Sequence, residues 1–537
     1  MMMDVPLTIS SMIERAEKLF PKKEIISRTH STITRLTYKE LGERTRRLSS
    51  ALQKLGAMQG ERVGTLAWNH HRHVEAYFAI PSIGAVLHTI NIRLSSQHIS
   101  YIINHAEDRI LLIDEDMVPL VEKIQGELST VQAYIIMTDK KELPETSLQP
   151  VYHYEQLLEE GDPNFPFLKD IDENMSAGMC YTSATTGNPK GVVYTHRSTV
   201  LHSMALGLAD TTALSESDAA MPVVPMFHVN AWGLPFAATW FGSKQVLPGP
   251  MFTPKILLEM MQEEKVTLAA GVPTIWLGVL QELEKNHYDL SNIKRFLCGG
   301  AAAPKSVIAA FEQKYNVPFV HAYGMTETSP LVTLARLKSY ENELPYEEQL
   351  TIRAKQGYLV PGVEMKVVGE KGEVAWDGQE MGELCLRAPW IASSYYKDER
   401  TAEGFRDGWL YTGDVVTVDE EGCIKIVDRT KDVIKSGGEW ISSVDLENAL
   451  MAHEAIFEAA VVAVPHKQWQ ERPVACVVLK QDQSVTKEEL YDFLKPQFAK
   501  WWLPDEIVFL KEIPKTSVGK FLKQALRKEL EQYYVED

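Results

Sequence analysis

The 537 residues exceed what one hydrophobic core usually holds, so at least two domains are expected, one of them large. Hydrophobic residues make up 45% and charged ones 24%, a globular balance with no long low-complexity or charge-block arm. The formal charge of −18 argues against a nucleic-acid surface, the scattered cysteines 180, 298, 385, 423 and 476 against a disulfide framework or zinc site, and the Gly and Pro breaks in the apolar runs against a membrane span.

The first residues, MMMDVPLTISSMIERAEKLF, place Asp4, Glu14 and Arg15 among apolar ones and offer no hydrophobic region of signal-peptide length, so the expected compartment is a reducing cytoplasm. Peripheral membrane contact is left open. Thr37 and Glu40 form a capping-box pattern, and Leu41, Leu48, Leu52 and Leu55 then fall on one face, which predicts a packing helix. From about residue 60 to 430, β-rich runs such as RVGTLAWN, RILLIDED, VTLAAGVP, RFLCGGAAAP and VPFVHAYG alternate with helical patterns. That alternation predicts α/β construction, with parallel or mixed sheets covered by helices.

Within it, YTSATTGNPKG (Tyr181 to Gly191) lies between the β-prone flanks Met179–Tyr181 and Val192–Tyr194, reading as strand, tight loop and strand. Thr182, Ser183, Thr185 and Thr186 offer hydroxyl donors, Gly187 lets the backbone turn toward an anion, and Lys190 adds a positive charge. The loop reads as a polyphosphate grip, although it lacks the glycine spacing and following helix of a Walker loop. Taken alone it is read equally well as a surface hairpin.

After residue 430 a small α+β unit follows: VDLENALMAHE as helix, EAAVVAVPH and RPVACVVLK as strands, and TKEELYDFLKPQF as a helix capped by Thr486 and Glu489. The charged segment DRTKDVIKSGGEW, Asp428 to Trp440, separates the two cores and is a candidate hinge. The expected domains are therefore 1–429, large and N-terminal, and 430–537, small and mobile.

HAYGMTETSP (His321 to Pro330), GWLYTGD (Gly408 to Asp414), the hinge segment and PKTSVGK (Pro514 to Lys520) share the vocabulary of the loop. Together these ordered motifs, spread over nearly the whole chain, resemble the adenylate-forming superfamily of acyl-CoA synthetases, adenylation domains and luciferases. The similarity is closest to bacterial long- or medium-chain fatty acyl-CoA synthetases. It implies ATP-dependent activation of a fatty acid to acyl-AMP with pyrophosphate release, then transfer to coenzyme A. An aromatic, hydroxycinnamate-type acid is the alternative, and a luciferase-like oxygenase or a freestanding loader of carrier proteins would share the motifs.

Taken alone, Glu327 reads as a solvated surface acid and Asp414 as a turn residue. The resemblance instead makes Glu327 the ligand of Mg2+, sends Thr326 to the α-phosphate, and gives the ribose to Asp414 and Arg429. Tyr323 with Gly299, Gly300 and Ala301 would sandwich the adenine, and Lys520 would bridge the acyl carboxylate and the phosphate. Lys431 stands at the pivot, and Lys435, Gly437, Gly438, Glu439 and Trp440 would swing in to shape the thiol channel. In PMFHVNAWG, His228 and Trp232 are expected at the acyl pocket, Trp232 as a core aromatic or as a gate. Gly324 keeps that pocket open where acetate enzymes carry a Trp. Two positions depart from the pattern: Ala184 stands where Gly is usual, and Lys523 where Arg is common, the latter expected to matter little. A homodimer is left open.

Overall fold

The computed structural model describes residues 1–182, 187–369, 371–436, 439–515 and 521–530, with backbone alone at 439 and 440. Both capping boxes form: the Thr37 hydroxyl and the Glu40 carboxylate exchange bonds with each other's backbone at the start of Tyr38–Lys54, and Thr486 and Glu489 do the same for Lys487–Leu494. Leu41, Leu48 and Leu52 of the first helix are fully buried.

Among the described residues the strands form four sheets. In the seven-stranded one, Arg62–Leu66, Val86–Thr89, Asp108–Asp114, Ala133–Met137 and Ser176–Tyr181 are parallel to their neighbours, and Gly191–Thr195 closes the edge antiparallel. In the nine-stranded one, Ala219–Pro222, Lys244–Leu247, Leu268–Gly271, Arg295–Cys298 and Phe319–Gly324 run parallel, with Leu331–Leu334 antiparallel beyond them. These strands are short and mostly apolar, with charged residues chiefly at their ends, because parallel sheets are covered on both faces. His71–Ser82 is buried at every position, as a helix enclosed on all sides must be.

An antiparallel third sheet contains Glu364–Gly369, Gly382–Arg387, Trp409–Val418 and Ile424–Arg429. The fourth is built from Ile434–Ser436, Glu439–Ile441, Ile456–His466, Gln470–Leu479 and Glu506–Phe509. Its faces are covered by Ser443–Met451, Lys487–Leu494 and Lys523–Leu530, which contribute Leu446, Leu490 and Leu526 to cores of their own. Among the described residues no helix is long and apolar enough to cross a membrane.

The carboxyl ends of the parallel strands open onto the segments singled out in the sequence, the usual location of a ligand in an α/β sheet. Ser176–Tyr181 leads into the expected phosphate loop, Arg295–Cys298 into Gly299 to Ala301, and Phe319–Gly324 into Thr326 and Glu327. Beneath two of these strands Trp276 stacks on Phe296 at 4.3 Å between ring centres, and its indole N–H donates to the carbonyl oxygens of Leu297 (3.1 Å) and Gly271 (3.2 Å). Trp276→Ala should therefore cost about 3–5 kcal/mol by leaving a cavity and removing a donor from both carbonyls. A lowered midpoint in denaturant unfolding checks this.

Candidate active site

Glu327 lies in the single 3₁₀ turn Thr326–Thr328 and is 4% exposed. Burying a carboxylate is costly unless it is hydrogen-bonded and paired. The Tyr395 hydroxyl donates to its Oε1 at 2.7 Å, and the Lys190 ammonium sits 4.0 Å from the centre of the Tyr395 ring. Burial lowers the pKa of Lys190, against which the Glu327 charge acts, while burial and Glu327 together push that of Tyr395 up. The Tyr194 hydroxyl holds the Thr326 carbonyl at 2.8 Å.

The expected phosphate loop is flanked by the two predicted strands, which pair with Tyr181 registered on Gly191. Its neck is closed by Thr182, whose N–H donates to the Lys190 carbonyl at 2.9 Å and whose hydroxyl accepts from the Lys190 N–H at 3.1 Å. Gly187 takes φ +70°, a conformation that favours glycine. Arg400 donates to the Asn188 carbonyl at 3.1 Å while paired to Asp398. Ser183, Ala184, Thr185 and Thr186 lie outside the described residues, as do Gly437, Gly438 and Lys520.

Asp414, 1% exposed, is registered across two strands on Arg429. Arg429 Nε meets its Oδ1 at 2.6 Å, and the Tyr323 hydroxyl donates to its Oδ2 at 2.5 Å. The Asp414 charge raises the pKa of Arg429. Each carboxylate oxygen keeps a second lone pair for a further donor.

Beside Tyr323 opens an apolar cavity lined by Leu206, Val229, Trp232 and Leu297 and by Gly299, Gly300, Gly324 and Met325. His228, expected on its wall, is not among the lining residues: the backbone turns at Val229, so Val229 and Trp232 line it instead. The Ala301 carbonyl, expected beside the adenine, lies 3.2 Å from His321 Nε2. From Val229 to Gly233 five successive residues have positive φ, +45°, +50°, +48°, +59° and +74°. A left-handed turn costs about 1–2 kcal/mol per non-glycine residue, so the cavity wall is under strain. The Asn230 amide oxygen anchors the turn, accepting from the Thr89 hydroxyl at 3.3 Å.

Two glycines gain reasons that the sequence did not offer. A Cβ on Gly299 would stand 2.9 Å from the Ala322 carbonyl oxygen and 3.1 Å from the Trp232 ring, so this glycine makes room for the neighbouring strand as well as the indole. A Cβ on Gly324 would fall 1.9 Å from the Pro330 carbonyl oxygen, at a bulge between strands. Gly324 thus borders the cavity, but glycine is demanded there by chain crossing as well. In the segment expected to be a hinge, Lys431 and Lys435 are exposed, and Lys435 is registered on Trp440 in a hairpin. Tyr395, Tyr194 and Arg400 were not marked by any motif: Tyr395 reaches Glu327 from 68 residues away.

The model of the AMP-binding enzyme family matches residues 13–396, and that of the AMP-binding enzyme C-terminal domain matches 445–520. The chain belongs to the AMP-binding enzyme family. Over 99% of its length it is 52% identical to a long-chain-fatty-acid–CoA ligase of Thermus thermophilus, covering 97% of that protein. It is 45% identical to the 3-methylmercaptopropionyl-CoA ligase of Ruegeria lacuscaerulensis, with 98% of each chain covered. The fold matches the crystal structure of the anthranilate CoA ligase AuaEII bound to anthranoyl-AMP, with a TM-score of 0.88 at 24% identity, covering 99% of this chain and 98% of that one. As in other AMP-binding enzymes, ATP and coenzyme A are the co-substrates. In this AMP-binding enzyme Gly324→Ala should destabilise the fold by about 1–3 kcal/mol, since backbone rather than a side chain must move. Chemical denaturation of the purified variant measures it.

Proposed function

We propose that the protein is a fatty acid–CoA ligase that forms acyl-AMP and pyrophosphate from ATP and the acid, then acyl-CoA and AMP. The observation that carries this reading is the apolar cavity ending at Gly324 and Met325, immediately before Thr326 and Glu327. An aliphatic chain lodged there would bring its carboxylate to the residues that hold phosphate. Each buried methylene contributes about 0.8 kcal/mol, so a chain ten carbons longer than acetate gains up to roughly 8 kcal/mol.

In the first half-reaction a carboxylate oxygen attacks the α-phosphorus and the bond to pyrophosphate breaks. Lys190 and the loop hydroxyls hold the leaving phosphates, Thr326 orients the α-phosphate, and Asp414 with Arg429 fixes the ribose. Lys520 supplies positive charge between carboxylate and phosphate, where negative charge accumulates. Among the described residues no cluster of three His, Cys, Asp or Glu could hold a metal by itself. Glu327 fits Mg2+ nonetheless, because that ion takes one or two carboxylates with the rest from phosphates and water, and Tyr395 binds only one of its oxygens. When bound, Mg2+ would neutralise phosphate charge. The carboxylic acid arrives ionised, so no general base is required for this step.

In the second half-reaction the thiol attacks the acyl carbon and AMP leaves. Residues 430–537 turn about Lys431 between the two steps, carrying Lys520 away and bringing the hairpin of Lys435, Glu439 and Trp440 to the thiol path, a gating motion. Trp232, its ring against Gly299, gates the acyl cavity.

Pyrophosphate release is expected to rise with chain length across acids of two to eighteen carbons and to be completed by coenzyme A. Turnover confined to coumarate would overturn the fatty-acid reading. Asp414→Asn removes a charged acceptor worth about 1.5–3 kcal/mol, so the KM for ATP should rise roughly 10- to 100-fold with less effect on kcat. Initial rates at varied ATP test this.

A further inference from the structure

Lys523 opens the last described helix, three residues after Lys520, and its ammonium is nearly enclosed, with 13% of the side chain exposed. Its Nζ meets Glu447 Oε1 at 2.6 Å and the Ser443 hydroxyl at 2.5 Å, both on the helix Ser443–Met451. Asp428 faces the same point from the end of the strand Ile424–Arg429, where its carboxylate accepts from the Ser443 N–H at 3.0 Å and the Arg429 N–H at 2.8 Å. Burial pulls the pKa of Lys523 down, but the attraction of Glu447 and Asp428 outweighs it and leaves it raised. Burial raises the pKa of both carboxylates.

This node joins three pieces of chain: the strand that carries Arg429, the first helix after the hinge, and the helix that follows the adenylation motif. The motif itself is pinned at both ends. Lys515 and Phe521 form a β-bridge, the Leu522 N–H donates to the Pro514 carbonyl at 2.7 Å, and Lys515 pairs with Glu458 at 2.5 Å. One helical turn beyond Lys523, Arg527 donates to the Lys431 carbonyl at 2.9 Å and pairs with Asp432, so the same helix also grips the pivot.

We propose that Lys523 is a positioning residue for the adenylation step: held by Glu447 and Ser443 and attracted by Asp428, it fixes the start of the helix that follows the motif relative to the strand that bears Arg429, and so fixes where Lys520 is presented. The proposal rests on the reading of Lys520 as the adenylation lysine. It gives weight to the position itself, while the exchange of lysine for arginine stays minor because this site asks only for a cation.

The test compares Lys520→Ala, Lys523→Met and Lys523→Arg in the full chain by two rates: pyrophosphate release from ATP and a long-chain acid without coenzyme A, and consumption of synthetic acyl-adenylate with coenzyme A. Lys523→Met should lose tenfold or more of the first rate and less than twofold of the second, with Lys523→Arg restoring the first. Should Lys523→Met not fold, Lys523→Met/Glu447→Met, which removes both buried charges, is measured in its place. If Lys520→Ala separates the two rates while the Lys523 variant lowers both together or neither, the positioning role is overturned and the reading of Lys520 stands. If Lys520→Ala lowers both rates equally, that reading fails and the proposal with it.

Discussion

The stack of Lys190, Tyr395 and Glu327 is the contact on which the rest of the site depends. Each member comes from a different part of the fold: Lys190 just before the edge strand of the seven-stranded sheet, Glu327 just after the end of a strand in the nine-stranded one, and Tyr395 from the stretch following Gly382–Arg387 in the third. A buried carboxylate is costly unless its charge and lone pairs are met, so the sheets must approach until the Tyr395 hydroxyl reaches it and the ammonium lies over that ring. That approach also creates the cleft. Among the described residues the Tyr395 hydroxyl meets one oxygen of the acid, and the ammonium lies over the same ring.

The second buried carboxylate, Asp414, does similar work at the other side of the site. Tyr323 binds it from the nine-stranded sheet and Arg429 from the adjacent strand of the third. The next residue back, Asp428, turns toward Ser443 and Lys523. Residues that would touch the ribose are thus one residue away from the contacts that hold the C-terminal unit. In addition, Ser442 donates to the Val427 carbonyl at 2.7 Å and Lys425 pairs with Asp445 at 2.7 Å. In the proposed rotation about Lys431 these contacts would be the ones exchanged between the two halves of the reaction.

The acyl side is organised by backbone rather than by charge. A left-handed turn throws Val229 and Trp232 into the cavity, and two glycines clear space: one for an indole ring and one for a crossing chain. Strain of this kind persists only where the surroundings over-determine it, and here the Thr89 bond to Asn230 and the burial of Val229, Asn230 and Ala231 do so.

By itself the sequence determined what short-range chemistry governs. Thr37 with Glu40 and Thr486 with Glu489 capped the helices that they announced, because a capping box closes within four residues. Short apolar runs became parallel strands, and Met179–Tyr181 and Val192–Tyr194 paired around the loop. The motifs named Glu327, Asp414 and Arg429, yet their local sequence was equally that of solvated surface residues. Only the tertiary structure decided that both acids are buried, that Tyr395 and Tyr194 hold the turn around Glu327, that Val229 rather than His228 faces the cavity, and that Lys523 is a buried cation. The reason is physical: desolvation and pairing depend on which distant chains meet, and neither hydrophobic period nor turn residues encode a partner 68 residues away.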